Sequence, residues 1–329
     1  MKINSIKNKI LNSIDLNQNE SLFLFKNIMS GSFNDIELTS ILVGLKMKGE
    51  GKDEIIGAAR IMRDKSLKIK SPNNTVDTCG TGGDMSNTLN ISTSAAIVAA
   101  SAGSIIAKHG NRSVSSKSGS ADMLEKLGYK ISANKSDLEN SLKEKNFCFL
   151  FAQNHHSAMK YVINVRKTLA TKTIFNLLGP LTNPANAKNQ LLGVYDEKWV
   201  KIHCEALKEM GSKNALVVHG LDGLDEITLT NNTLIAELRN NNIKEYIFNP
   251  TDFGYEYIKI DEIKGGDPDY NAKSFIKMLE GTYPKFQKIV EINAGAALYL
   301  SNVANNLKEG FKLANKVIVE GNAKQYLNF

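Results

Sequence analysis

Cysteine is scarce in this chain: Cys79, Cys148 and Cys204 are the only three in 329 residues, far apart and odd in number. That spacing builds neither a disulfide framework nor a zinc site, and it fits a reducing compartment. No apolar stretch approaches the roughly 18 residues needed to cross a bilayer. The opening MKINSIKNKILNSIDLNQNE lacks a long apolar run and a cleavage-site pattern. Neither a membrane span nor a signal peptide is therefore expected, and the expected location is cytoplasmic. No dense Lys/Arg block with interleaved aromatics occurs, so nucleic acid is not an expected partner. Internal repeats, low-complexity tracts and long linkers are missing too. There is no Walker A loop, dinucleotide fingerprint, Ser-His-Asp order or cysteine-nucleophile setting, which removes the commonest nucleotide, redox and acyl-transfer chemistries.

What is present is ordinary globular composition, 42% hydrophobic and 23% charged. The length suggests about two domains and a large core. Forty-one Lys and Arg against 34 Asp and Glu give +7. Solubility alone accounts for such a charge, and so does an anionic ligand.

Residues 1 to about 70 read as helical. Asn34 with Glu37 three residues on forms a capping box, and Ile41, Leu42 and Leu45 follow at helical spacing. A further helix is expected over Lys52 to Lys65. The turn Ser71-Pro72-Asn73-Asn74 marks a boundary, so we divide the chain into a helical domain, 1–71, and a second domain, 72–329. In the second domain short apolar β-branched runs alternate with helical stretches. Strands are expected over 76–79, 104–108, 147–152 and 214–219, with helices over 92–102, 119–127 and 197–210 and a return to helix over 284–320. A hairpin is expected within Glu226 to Leu238. The alternation predicts an α/β fold with a central, mostly parallel sheet flanked by helices.

Five segments carry chemistry. Asp77-Thr78-Cys79-Gly80-Thr81-Gly82-Gly83-Asp84 follows a strand, and its glycines permit positive φ and a ring of backbone N–H groups around an anion. A tight structural turn would have the same composition. Asn87-Thr88-Leu89-Asn90-Ile91-Ser92-Thr93 leads into a small-residue helix whose N-terminus favours a phosphate, or is simply capped by these hydroxyls. The run from Lys108 to Ser120 holds cations, serines and glycines between a strand and a helix, suited to neutralising and hydrogen-bonding phosphate oxygens. Asp225-Glu226 is a carboxylate pair after a strand and turn, suited to magnesium or to a charged hairpin tip. Arg166 is a natural fork for a small carboxylate, though nothing local separates it from a surface arginine. Together they describe a site for a pyrophosphorylated sugar.

The joint pattern resembles the anthranilate phosphoribosyltransferases. DTCGTGGD at 77–84, NTLNIST at 87–93, KHGNRSVSSKSGSADMLEKLG at 108–128, VRKTLATKTIFNLLGPLTNP at 165–184 and HGLDGLDE at 219–226 occur in the family's order, and the likeness covers essentially the whole chain. The resemblance implies transfer of the phosphoribosyl group of phosphoribosyl pyrophosphate (PRPP) to anthranilate in tryptophan biosynthesis. It implies Mg2+ as cofactor, two ions with one carried by the pyrophosphate, and a homodimer formed through the small domain. It implies PRPP contacts at Gly80, Gly83, Asp84, Thr88, Asn90, Ile91, Ser92, Thr93, Lys108, His109, Gly110, Asn111, Arg112, Ser113, Val114, Ser115, Ser116 and Ser120. Anthranilate contacts are implied at Gly80, Asn111 and Arg166, and magnesium ligands at Ser92, Asp225 and Glu226, with Lys108 and Arg166 as the catalytic pair.

Two departures from the family pattern stand out. Phe151-Ala152-Gln153-Asn154-His155-His156-Ser157, which touches a wall of the acceptor channel, stands where many relatives read His-Pro after Phe-Ala-Pro. Lys172-Thr173 replaces a common Arg-Thr. The nearest alternative is a pyrimidine nucleoside phosphorylase of the same architecture. The asparagine of KHGNR and the GTGGD loop favour anthranilate, and thymidine phosphorolysis would favour the alternative. A non-enzymatic nucleic-acid binder on this fold would bind in a salt-steep manner and would have no use for Asp225, Glu226 and Arg166.

Overall fold

The structure is a computed structural model and describes residues 2–113 and 117–327. It opens with α1 (Ile3–Leu11), α2 (Gln18–Ile28), α3 (Asp35–Lys48) and α4 (Lys52–Lys65). The α3 start matches the sequence: the Asn34 side chain accepts from the Glu37 N–H at 2.9 Å and Glu37 reaches back to the Asn34 N–H.

An α/β region follows, with β1 (Val76–Gly80), α5 (Ile91–Ser101), β2 (Ile106–Gly110), α6 (Ser120–Lys126), α7 (Lys135–Lys145), β3 (Phe147–Phe151), α8 (Ala152–His155), α9 (Ile163–Leu169) and α10 (Ile174–Leu178). It continues with β4 (Asn189–Gly193), α11 (Lys198–Glu209), β5 (Asn214–Gly220), β6 (Thr233–Arg239) and β7 (Asn242–Phe248). The chain ends in α12 (Pro268–Leu279), α13 (Pro284–Leu300), α14 (Leu307–Val319) and α15 (Asn322–Gln325).

Among the described residues seven strands form one sheet, in the order β3-β2-β1-β4-β5-β6-β7. The pairs from β3 through β5 are parallel, and β6 and β7 add antiparallel at one edge. The chain runs outward from β1 through β2 to β3, then returns to place β4 on the other side of β1. Strand order therefore reverses between β1 and β4. In open α/β sheets this is where ligands lodge, beyond the carboxyl ends of the strands.

The edge hairpin lies later than the sequence predicts, over 233–248 rather than 226–238. Residues between Glu226 and Asn232 are taken up by a turn in which Thr228 and Thr230 donate to the Asp222 carboxylate. The hairpin turn itself is Asn240-Asn241, with φ of +51° and +61°, the mirror-image turn that suits strand twist.

Two large apolar clusters cover the faces of the sheet. On one face α5, α13 and α14 pack through Ile97, Val98, Ile289, Val290 and Phe311. On the other, Leu24, Phe25, Ile55 and Ile56 of the N-terminal helices share one cluster with Phe175, Leu178, Trp199 and Leu207. The first four helices thus do not keep a core to themselves. No helix among the described residues is long and apolar enough to cross a membrane.

Candidate active site

The ends of β1 and β4 meet at the reversal point. Gly80 and Gly193 are register partners there. A Cβ built on Gly80 would lie 2.3 Å from Asp225 Oδ2, and one on Gly193 would lie 1.6 Å from the Asp225 carbonyl oxygen. Two adjacent strand ends without side chains are what lets the loop after β5 reach across the sheet. Asp225 Oδ2 then accepts from the Gly82 N–H at 2.7 Å. Glu226 Oε1 accepts from the Ser92 N–H at 3.1 Å, at the start of α5. The sequence-predicted magnesium ligands Ser92, Asp225 and Glu226 are thereby brought together from two segments far apart in the chain.

Beyond β1 the glycine loop bends sharply. Gly82 and Gly83 have φ of +62° and +76°, and Met85 and Asn87 follow in the same left-handed region. Thr81 anchors one end: its N–H donates to the Gly193 carbonyl at 2.9 Å, and its Oγ1 accepts from the Tyr195 N–H at 3.1 Å. The next stretch, Thr88 to Asn90, is held by a distant segment that no local signal in the chain places here. Leu89 N–H donates to the Ile263 carbonyl at 2.9 Å, and Gly265 N–H donates to the Asn87 carbonyl at 2.8 Å. Asn90 Oδ1 accepts from Asn271 Nδ2 at 2.8 Å and from Ser118 Oγ at 3.2 Å.

Lys108, the middle residue of β2, is only 1% exposed. Its ammonium donates to the Thr78 carbonyl and, at 3.2 Å, to Ser92 Oγ. The charges of Glu226 and Asp225 act on it. Burial pulls its pKa down, while Asp77, Glu226 and Asp225 pull it up. The carboxylates show the complementary effect. Loss of hydration pushes Asp225 up to about 7, with the Asp84 charge adding to it. Glu226 is raised by burial and by Asp225, against the pull of Lys108. A cation at this point would reverse both shifts. Among the described residues no group of three or more His, Cys, Asp or Glu is placed to hold a metal. Two carboxylates fit magnesium, which takes one or two and fills its shell with water and phosphate oxygens.

The loop after β2 carries the other sequence-predicted contacts. Val114, Ser115 and Ser116 lie outside the described residues. Arg112 is clamped to α6, its guanidinium 2.8 Å from Asp122 and 2.7 Å from Glu125. Ser113 N–H donates to Asp122 at 3.2 Å. Asn111 is exposed, and its Oδ1 accepts from the Arg112 N–H at 2.8 Å and from Gln153 Nε2 at 3.4 Å. Gly110 and Ser120 sit side by side where this loop enters α6. Ile91 and Thr93 are buried in the first turn of α5, and among the described residues Thr93 Oγ1 has no hydrogen-bond partner. His109 turns its ring away from the loop into a buried pair with His156, Nε2 to Nε2 at 3.2 Å.

Arg166 is half-buried on α9, its guanidinium 5.5 Å from the centre of the Phe175 ring. Burial lowers its pKa, and among the described residues no carboxylate lies within salt-bridge distance of it. A desolvated guanidinium without a partner acid is stabilised by an incoming carboxylate.

Comparison with known proteins bears on the same chain. Residues 72–324 match the glycosyl transferase family α/β domain, and residues 4–66 match that family's helical bundle domain. The anthranilate phosphoribosyltransferase of Alkaliphilus metalliredigens is 44% identical over 321 residues, covering 97% of this chain and 95% of the relative. The crystal structure of anthranilate phosphoribosyltransferase from Thermus thermophilus superposes with a TM-score of 0.92 at 36% identity, covering 98% of this chain and 97% of that one. The Saccharomyces cerevisiae enzyme, solved in complex with PRPP and Mg, gives 0.88 at 28% identity, covering 98% and 95%.

Proposed function

The chain belongs to the anthranilate phosphoribosyltransferases, and on that premise we propose how its own residues perform the family's reaction. It transfers the phosphoribosyl group of PRPP to the amine of anthranilate, giving N-(5-phosphoribosyl)anthranilate and pyrophosphate in tryptophan biosynthesis. The amine of anthranilate is neutral and nucleophilic near pH 7, so no strong base is required. As pyrophosphate leaves, positive charge grows on the ribose C1 and negative charge on the leaving group. The protein's tasks are therefore alignment and electrostatic stabilisation.

The observation that carries the assignment is the meeting, at the sheet's reversal point, of a glycine loop, an α5 N-terminus and the Asp225-Glu226 pair. In our reading the Gly80–Asp84 loop, Thr88–Thr93 and the 108–120 loop hold PRPP. Ser92, Asp225 and Glu226 hold magnesium, which when bound neutralises charge on the leaving pyrophosphate. A second ion, carried by the pyrophosphate, belongs to the same reading. Lys108 orients Ser92 and offsets the charge of the acid pair. Arg166, with Asn111 and Gly80, takes the anthranilate carboxylate and turns its amine toward C1.

We also propose that the chain divides into a helical unit, 1–71, and an α/β unit, 72–329, and forms a homodimer through the first. Exposed Leu11, Ile14, Ile36 and Met47 on the helical unit support that interface. Three buried, unpaired cysteines support a cytoplasmic location.

Magnesium dependence tests the metal assignment. Asp225→Asn combined with Glu226→Gln is expected to lower turnover and to move the magnesium titration to higher concentration. A titration that stays where it is in the folded variant contradicts the assignment.

A further inference from the structure

The segment between Arg166 and Thr173 touches three separate parts of the molecule. Arg166 lies on α9, and that helix ends at Ala170, whose φ is +46°. The next residue, Thr171, accepts a hydrogen bond through Oγ1 from Lys46 Nζ of α3. One residue further, Lys172 donates from Nζ to the Gly83 carbonyl at 2.8 Å, in the bend of the glycine loop. Thr173 then starts α10, where its N–H donates to Asn176 Oδ1 at 3.0 Å. The segment is thus tied down at Thr171 and again at Thr173. Between these ties a single side chain reaches the loop assigned to PRPP.

That side chain is unusually constrained for a lysine. Its ammonium lies 3.4 Å from the centre of the Tyr195 ring, a close cation–π contact. The backbone of Tyr195 holds Thr81 of the same loop. A Cβ on Gly83 would meet Lys172 Cε at 3.0 Å, so lysine and loop are packed against each other. Asp84, Asp196 and Asp225 act on the Lys172 charge, yet among the described residues no carboxylate comes within salt-bridge distance of it. Its hydrogen bond goes to a loop carbonyl instead. The arginine assigned to the acceptor stands only a short way back along the chain, on α9.

We infer that Lys172 is a positioning residue that couples the two substrate sites, transmitting the state of the Gly82–Gly83 bend to Arg166 through the short strut between them. The inference rests on the functional reading above. It explains why a basic residue follows the acceptor helix although it faces the donor loop. When an anion fills the loop, the bend is fixed. The Lys172 contact then fixes the strut, and Arg166 is held ready for a carboxylate. Coupling of this kind is reciprocal: what pyrophosphate does for anthranilate affinity, anthranilate does for pyrophosphate affinity.

The test uses the whole chain and a pair that does not react, anthranilate with magnesium pyrophosphate. Anthranilate affinity is read from its own fluorescence, with and without magnesium pyrophosphate. In the unmodified protein pyrophosphate is expected to tighten anthranilate binding by about five-fold or more. Lys172→Met is expected to reduce that ratio to about one, while anthranilate binding without pyrophosphate stays within about two-fold. Lys172→Arg, which keeps charge, reach and ring contact, is expected to retain the coupling. Tyr195→Leu, which removes the ring but not the charge, is expected to weaken it and serves as the second variant if Lys172→Met does not fold. Coupling that survives in Lys172→Met, is lost in Lys172→Arg, or is missing from an unmodified protein that turns over both substrates overturns the inference and leaves the activity standing. An unmodified protein that binds neither probe overturns the functional reading and this inference with it.

Discussion

Single residues set the chemistry here through what they leave room for and what they leave unpaired. Gly80 and Gly193 clear the space through which Asp225 crosses the sheet. Arg166 keeps a guanidinium half-buried with no acid beside it among the described residues. If its role is to take the anthranilate carboxylate, Arg166→Ala removes a charge-assisted contact of about 1.5–3 kcal/mol. Steady-state kinetics should then show the KM for anthranilate rising by roughly ten- to a hundred-fold, with the KM for PRPP much less affected. Equal rises in both would remove Arg166 from the acceptor site. At this scale the sequence is most legible where the residues of the site are neighbours in the chain. Asp225-Glu226, Ser92 and the glycine loop all stand in short runs whose composition already points to anions and a hard cation. Lys108 is legible as a cation of the site, but nothing local says that its ammonium is spent on Thr78 and Ser92. Gly193, Tyr195 and Gln153 owe their places to contacts across distant segments, which no run of neighbours records.

Elements arrange these residues by ending in the same place. The carboxyl ends of β1, β4 and β5 supply the glycine loop, Gly193 and the loop to the acid pair, and β2 supplies Lys108 from its middle. That convergence follows from parallel pairing with a reversal at β1 and β4. Most elements are readable from periodicity, including α4 over the stated residues and the buried small-residue helix α5. β4 is not, because Asn189-Gln190 opens it with two polar residues that the interior satisfies: Gln190 Nε2 donates to the Pro180 carbonyl at 2.6 Å. The hairpin is misplaced because its β-branched approach, Ile227 to Thr230, is held as a turn by Asp222.

The contact between β2 and α8 makes an element-level prediction about pH. His109, on β2, faces His156, just after α8, and His155, Lys108 and the backbones of Gly179 and Thr182 act on the pair as well. Burial and neighbouring imidazoles hold His109 well below its usual value, and burial takes His156 from 6.5 to about 4. Both rings are neutral in the fold, whereas the unfolded chain takes up protons below pH 6.5. Their contribution to stability is therefore complete above 6.5 and is lost as pH falls toward about 4. The expected slope is on the order of 1 kcal/mol per pH unit for each imidazole. Thermal melts should show Tm falling across that window, and His156→Gln should flatten the fall. A variant with the unmodified protein's slope would contradict this account of the pair.

At the scale of the whole molecule, the N-terminal helices share an apolar cluster with the α/β region instead of keeping a core of their own. Phe25 of α2 and Ile55 of α4 share their apolar cluster with Phe175 of α10 and Trp199 of α11, and α3 packs against α9, the helix that carries Arg166. The +7 charge, ambiguous from composition alone, has a use in the proposed reading, which assigns Lys108 to the donor site, Arg166 to the acceptor and Lys172 to the strut between them. Fold class and reaction type are legible because they rest on patterns repeated along the chain. The mutual placement of donor loop, strut and acceptor arginine is not, because it depends on packing between segments far apart in the chain, as where Asp225 meets Gly82 and Glu226 meets Ser92. The most direct test of the whole account is the fluorescence of anthranilate followed over time with PRPP, with and without magnesium. The account predicts loss of signal that needs all three of protein, PRPP and magnesium. A steady signal from correctly folded protein, or phosphorolysis of thymidine in its place, would contradict it.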